Sequence, residues 1–89
     1  MFDHQVFVNK FNEILDLLSE QLSENEKEFL TSYMQSGEWY LALETLCEIL
    51  IENDVTLNPK SYKIVEELGL ALNLEPPIWQ MLKPQLMIA

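Results

Sequence analysis

Apolar side chains recur at Phe7, Phe11, Ile14, Leu15, Leu18 and Leu22, a spacing that about 3.6 residues per turn gathers onto one stripe. The pattern predicts an amphipathic helix over Asp3 to Gln21. Ser23-Glu24-Asn25-Glu26 then has the form of a capping box, with the Ser oxygen accepting from the third helical N–H while Glu26 reaches back. The helix that starts there is expected to carry Phe29, Leu30, Tyr33 and Met34. Gly37 follows as a residue able to take the left-handed conformation that ends helices. The segment Glu38 to Asn53 is the most apolar, with Trp39, Leu43, Leu46, Ile49 and Leu50 on a broad inner arc and Glu44, Thr45, Glu48 and Glu52 on the other side. This helix is expected to be central.

Asn53 to Pro59 breaks the pattern, and Asn58 before Pro59 joins an N-cap oxygen to a proline at the first helical position. The next helix has Tyr62, Val65, Leu68, Gly69 and Leu72 as its inner stripe. Leu74-Glu75-Pro76-Pro77 ends it and opens a short last helix through Ile78, Trp79 and Leu82, which Pro84 stops. The apolar ending Leu86-Met87-Ile88-Ala89 is expected to cover the core or extend a dimer contact. Only two glycines occur, with no Asn-Gly or Asp-Gly turn and no sustained alternation, so no strand competes. The fold class expected is all-α: one domain over residues 1–89, a compact bundle of four main helices plus a short C-terminal helix.

Charge narrows the partners. Fifteen Asp and Glu against five basic residues give a formal net charge of -10, and every basic residue is a lysine. Without arginine the chain has no bidentate grip for phosphate, and its field repels nucleic-acid backbones and anionic membranes. The expected partner is a basic protein, with no direct nucleic acid and no membrane. Cys47 is the only cysteine, as suits a reducing compartment. The start of the chain lacks a basic and apolar leader, and no apolar run approaches the ~18 residues of a membrane span, so a cytoplasmic location is expected.

Catalytic chemistry has little material. His4 lies at a helix end and Cys47 on an apolar helix face, where a free cysteine behaves as a small buried hydrophobe. One His and one Cys cannot complete a zinc shell, and no calcium-loop motif occurs. A non-enzyme without metal or cofactor is expected. Trp39 and Trp79 fall at core positions, and Gly69 inside a good helix points to close helix approach or an early helix end.

Two faces stand out as candidate binding surfaces, the alternative for the first being a simply solvated face and for the second a leucine packed beneath the C-terminal tail or singly exposed. Glu44, Glu48 and Glu52 are each four residues apart, so their carboxylates line one helix face without a compensating lysine, and each such pair costs a few tenths of a kcal/mol unless a cation relieves it. Tyr40 and Ile51 border this ridge and Leu41 falls within it. On the back of the first helix, Glu13, Asp16 and Glu20 surround Leu17, an apolar residue opposite the inner stripe.

The run Ser36-Gly37-Glu38-Trp39-Tyr40-Leu41-Ala42-Leu43-Glu44-Thr45-Leu46-Cys47-Glu48, followed by Tyr62 to Ile64 and Glu66-Glu67-Leu68-Gly69, resembles the MafI-type immunity proteins of bacterial polymorphic toxin systems. In those proteins a Gly-Glu turn precedes a helix reading roughly Leu-Ala-Leu-Glu-Thr-Leu, and a later helix carries Glu-Leu-Gly. The similarity spans Ser36 to Pro76, and the first helix matches in character only. The resemblance implies a small cytoplasmic protein that binds the toxic C-terminal domain of a secreted toxin, often a nuclease. Such a domain is commonly cationic, in keeping with the partner expected from charge. Binding residues are expected on the two faces, Glu44, Glu48, Glu52 and Tyr40 with Glu13, Asp16, Leu17 and Glu20, and the free chain as a monomer or weak dimer. The alternative is a small acidic adaptor or secretion chaperone that holds a partner's amphipathic helix in an apolar groove, for which Met81 and Met87 supply adaptable side chains.

Overall fold

Capping chemistry and apolar spacing set the helices in a computed structural model of the protein, which describes residues 4–86. They are α1 (His4–Leu17), α2 (Glu24–Gln35), α3 (Trp39–Glu52), α4 (Pro59–Ala71) and α5 (Pro76–Gln80), followed by a 3-10 turn (Lys83–Gln85). The described residues therefore form an all-α fold of four main helices and a short C-terminal one. Leu57 and Leu86 meet in an isolated bridge, with the Leu57 N–H donating to the Gln85 carbonyl at 2.8 Å. No helix among the described residues is long and apolar enough to cross a membrane.

Both expected N-caps form. The Ser23 Oγ accepts from the Glu26 N–H at 3.1 Å while Glu26 Oε1 accepts from the Ser23 N–H at 2.8 Å, closing the capping box. The other Glu26 oxygen accepts from Asn53 Nδ2 at 3.2 Å, which ties the start of α2 to the end of α3. These bonds, the Ser23 backbone foremost, hold the Glu26 carboxyl below its ordinary range. At α4, Asn58 Oδ1 accepts from the Ser61 N–H at 2.7 Å and Pro59 occupies the first turn.

The C-termini of α2, α3 and α4 share one device. In each, the residue after the cap turns left-handed, at Gly37 (φ 74°), Asp54 (φ 51°) and Asn73 (φ 56°). The next N–H then bonds back across five residues: Glu38 to Tyr33 at 2.9 Å, Val55 to Leu50 at 3.1 Å, and Leu74 to Gly69 at 2.9 Å. This is the Schellman arrangement, which satisfies carbonyls that a helix end leaves open. Gly37 was expected in this role, whereas Asp54 and Asn73 are additions from the structure.

The core is one cluster built on Phe7, Phe11 and Ile14 of α1, Leu43, Leu46 and Leu50 of α3, and Val65 and Leu68 of α4, with Leu57, Trp79 and Leu82 closing it. The α1 helix packs on α4 and α2 packs on α3, while α3 and α4 touch each other and both receive α5. The α1 helix stops at Leu17 rather than running to Gln21. Its continuation tightens, with Ser19 N–H bonded to the Asp16 carbonyl and Gln21 N–H to that of Leu18. The tighter turn keeps Leu18 and Leu22 buried while the chain reverses into the Ser23 cap. Of the apolar residues expected on α2, Leu30 takes the buried position, and Phe29 is 54% exposed with its ring edge against Tyr33.

Gly69 marks close helix approach. A methyl group there would lie 2.5 Å from Trp79 Cε3, so the missing side chain is what lets the buried Trp79 ring press against α4. The tail is pinned by Gln85, whose Nε2 donates to the carbonyls of Leu50 at 2.8 Å and Val55 at 2.7 Å. Those bonds and the Leu57 bridge fix α5 against the end of α3. Met87, Ile88 and Ala89, on which the expected apolar ending rests, lie outside the described residues; Leu86 packs on the core.

Candidate functional site

The α3 helix presents its inner arc to the core and its outer face to solvent. Ala42, Leu43, Leu46, Cys47 and Leu50 are buried. On the outer face Glu44 is half-buried and Glu48 and Glu52 are exposed, in a line that Leu41, 37% exposed, extends toward the start of the helix. Tyr40, 44% exposed, stands to one side on the first turn. The sequence spacing thus brings the three carboxylates together. Glu48 and Glu52 also sit toward the C-terminal end of α3, where the helix dipole is negative and its last turn carries no basic residue.

Lysine pairing is uneven over the molecule. Lys10 lies 3.1 Å from Glu67, Lys60 3.6 Å from Glu13, and Lys27 3.5 Å from Glu24. Among the described residues no lysine comes within 4.0 Å of Glu44, Glu48 or Glu52. The contacts that join α1 to α4 therefore carry some internal compensation and the ridge on α3 carries none.

The ridge divides two shallow grooves. Toward α5, a groove of about 320 Å³ is floored by Cys47 and Ile51, walled by Ile78 and Met81, and edged by all three carboxylates. Toward α2, one of about 350 Å³ runs between Phe29 and Ile49, with Glu26, Glu48 and Glu52 at its margin. Neither groove takes a residue from α1, and Tyr40 lines neither. In these two grooves the α3 face joins charge to apolar relief without any acidic residue of α1.

On the α1 face, Glu13, Asp16, Leu17 and Glu20 are all exposed, Leu17 at 37%. Glu13 is shared with Lys60. Leu17 ends α1, and Glu20 lies in the turn beyond it rather than on the helix. The turn breaks the regular i, i+4 line that the longer helix would have drawn through Asp16 and Glu20.

Cys47 is 1% exposed. Burial first, then the nearby charges of Glu44 and Glu48, pushes its thiol from 9.0 up to about 12, so it stays protonated and unreactive at neutral pH. The ring centroid of His4 lies 4.3 Å from that of half-buried Trp39 with the planes tilted by 56°, a contact that its place at the start of α1 does not announce. The buried place expected for Trp79 holds, at 2% exposed. Among the described residues no three His, Cys, Asp or Glu side chains converge in a way that would hold a metal ion.

The sequence reading missed the participation of α2 and α5. Phe29 of α2, 54% exposed, and Ile78 of α5 flank the ridge, the latter beside Met81, which caps α5, is 59% exposed and was expected only in the alternative reading. Phe29 lies beside Leu30 on a helix whose apolar pattern has room for one of them inside, which was the available signal. Comparison with protein families, curated proteins and solved structures gives no match.

Proposed function

We propose that this chain is an immunity-type inhibitor that binds the basic toxic domain of a polymorphic toxin, with α3 as the docking face and the cytoplasm as its place of action. The observation that carries the reading is the uncompensated row of Glu44, Glu48 and Glu52 between two apolar grooves, with the ion pairs of Lys10, Lys27 and Lys60 all lying elsewhere. A cationic surface seated here removes the repulsion along the row and covers apolar area in the same step. The field of a chain with net charge -10 raises the encounter rate with such a domain. The motif resemblance over Ser36 to Pro76 supports the same class and supplies the nuclease expectation.

The test is a growth rescue. The protein encoded immediately upstream is expressed with and without this chain, and the pair is co-purified across a salt series. Rescue with a stable, salt-sensitive complex is expected. A neighbour that is harmless alone, or toxic but neither bound nor neutralised, removes the inhibitor reading. The half-exposed Met81 beside the α3–α5 groove favours a second reading, a small acidic adaptor or secretion chaperone that holds a partner's amphipathic helix. It binds an unfolded segment with little salt dependence, so the same co-purification separates the two.

A further inference from the structure

We infer that the groove between α3 and α5 receives one α-helix of the partner, with Lys or Arg at i, i+4 and i+8 facing Glu44, Glu48 and Glu52 and apolar side chains beside them entering between Ile51, Ile78 and Met81. The sign of the partner's charge rests on the inhibitor reading; the shape and spacing rest on the groove. Carboxylates four residues apart along α3 rise about 6 Å per step, and cations at i, i+4, i+8 on a helix lying along α3 rise by the same amount. An extended segment matches that spacing too, but its backbone N–H and C=O groups would face carboxylates and hydrocarbon with few partners. A helix satisfies its own backbone before it docks.

The α3–α5 groove fits this occupant better than its neighbour across the ridge. All three carboxylates edge it, and none of them hydrogen-bonds within the chain among the described residues. The acids of the α2–α3 groove include Glu26, whose oxygens are already engaged by Ser23 and Asn53. No lysine lines the α3–α5 groove. Its outer wall is Met81, an unbranched and polarisable side chain that is 59% exposed and able to repack around an incoming apolar residue.

The probe is an alanine-based helical peptide of about 18 residues carrying Lys at i, i+4 and i+8 with Leu at i+3 and i+7, compared with a peptide of the same composition whose lysines are scrambled around the helix. Binding is measured by calorimetry on the full chain, on Met81→Lys and on Leu70→Lys, both exposed positions whose substitution leaves the core untouched, Leu70 lining neither groove. Saturable one-to-one binding of the patterned peptide is expected, about tenfold or more tighter than the scrambled one. Met81→Lys is expected to weaken it by about tenfold or more and Leu70→Lys by less than about twofold. Equal binding of the two peptides, equal weakening by the two variants, or no saturable binding overturns the groove. The growth rescue reports separately: a Met81→Lys chain that still rescues as well as the natural one leaves the inhibitor reading standing and removes this docking site.

Discussion

At the residue scale, Cys47 shows how the acidic ridge reaches into the core. Its thiol is lifted from 9.0 to about 12 by burial and by Glu44 and Glu48. Unfolded chains release that proton above about pH 9, while the folded chain keeps it until about pH 12. Between those values the unfolded state binds fewer protons, so stability is complete below pH 9 and falls as pH rises, by up to about 4 kcal/mol. Cys47→Ala removes this loss and leaves a small cavity that costs about 1 kcal/mol at neutral pH. Urea unfolding at a series of pH values is therefore expected to show the variant weaker at pH 7.5, with the deficit shrinking and reversing above about pH 10. Other alkaline groups titrate alike in both proteins and cancel; parallel curves would mean that the thiol is not held protonated. Gly69 offers a second residue-scale test. An alanine in a helix interior usually gains up to about 1 kcal/mol over glycine, but here its methyl would meet the buried Trp79 ring at 2.5 Å. That ring has core on its other side, so overpacking prevails. Gly69→Ala is expected to lose about 1–2 kcal/mol and to lower Tm by several degrees in a thermal melt.

At the scale of elements, helix starts were readable from local chemistry and helix ends only in part. Ser23 with Glu26 and Asn58 with Pro59 act within a few residues of themselves, so their roles survive any tertiary arrangement. Asp54 and Asn73 take left-handed φ because Val55 and Leu74 must turn back into the core, a demand set by packing that local sequence does not display. The same distinction runs through the site. The ridge on α3 follows from i, i+4 spacing alone, whereas its two grooves depend on where α2 and α5 come to rest. The second of these is fixed by Gln85 reaching the carbonyls of Leu50 and Val55. Asp54 is the costlier of the two non-glycine caps, since it also places a carboxylate at the negative end of α3. Asp54→Gly is thus expected to stabilise the fold by about 0.5–1 kcal/mol. Gly37→Ala, at the same position of α2, is expected to destabilise it by about 1 kcal/mol. Chemical denaturation of the two variants checks the pair, and opposite signs are the informative outcome.

At the scale of the molecule, charge and contact act on different steps of association. The chain carries a net charge of -10 on a body with a radius of gyration of 12.0 Å, so its field reaches a cationic partner before any surface docks. Reversing Glu44 and Glu48 to Lys changes the charge by two per site, from -10 to -6 over the pair, and places the change on the docking face itself. For the complex with the toxic partner identified by growth rescue, association is expected to slow by about tenfold at low salt. The dependence of its rate on ionic strength should flatten as well. Tyr40 carries no charge and is 44% exposed on the first turn of α3, so Tyr40→Ala is expected to speed dissociation and leave association near its original rate. Asp16→Lys with Glu20→Lys makes the same change in net charge on the α1 face. If steering depended on total charge alone, the two double variants would slow association equally. If α3 is the docking face, the α3 pair slows it more and also shortens the lifetime of the complex, because its lysines meet the partner's cations at contact. Stopped-flow association and dissociation traces across a salt series separate these cases. Rates unchanged by both the α3 pair and Tyr40→Ala would take the interface off α3 altogether.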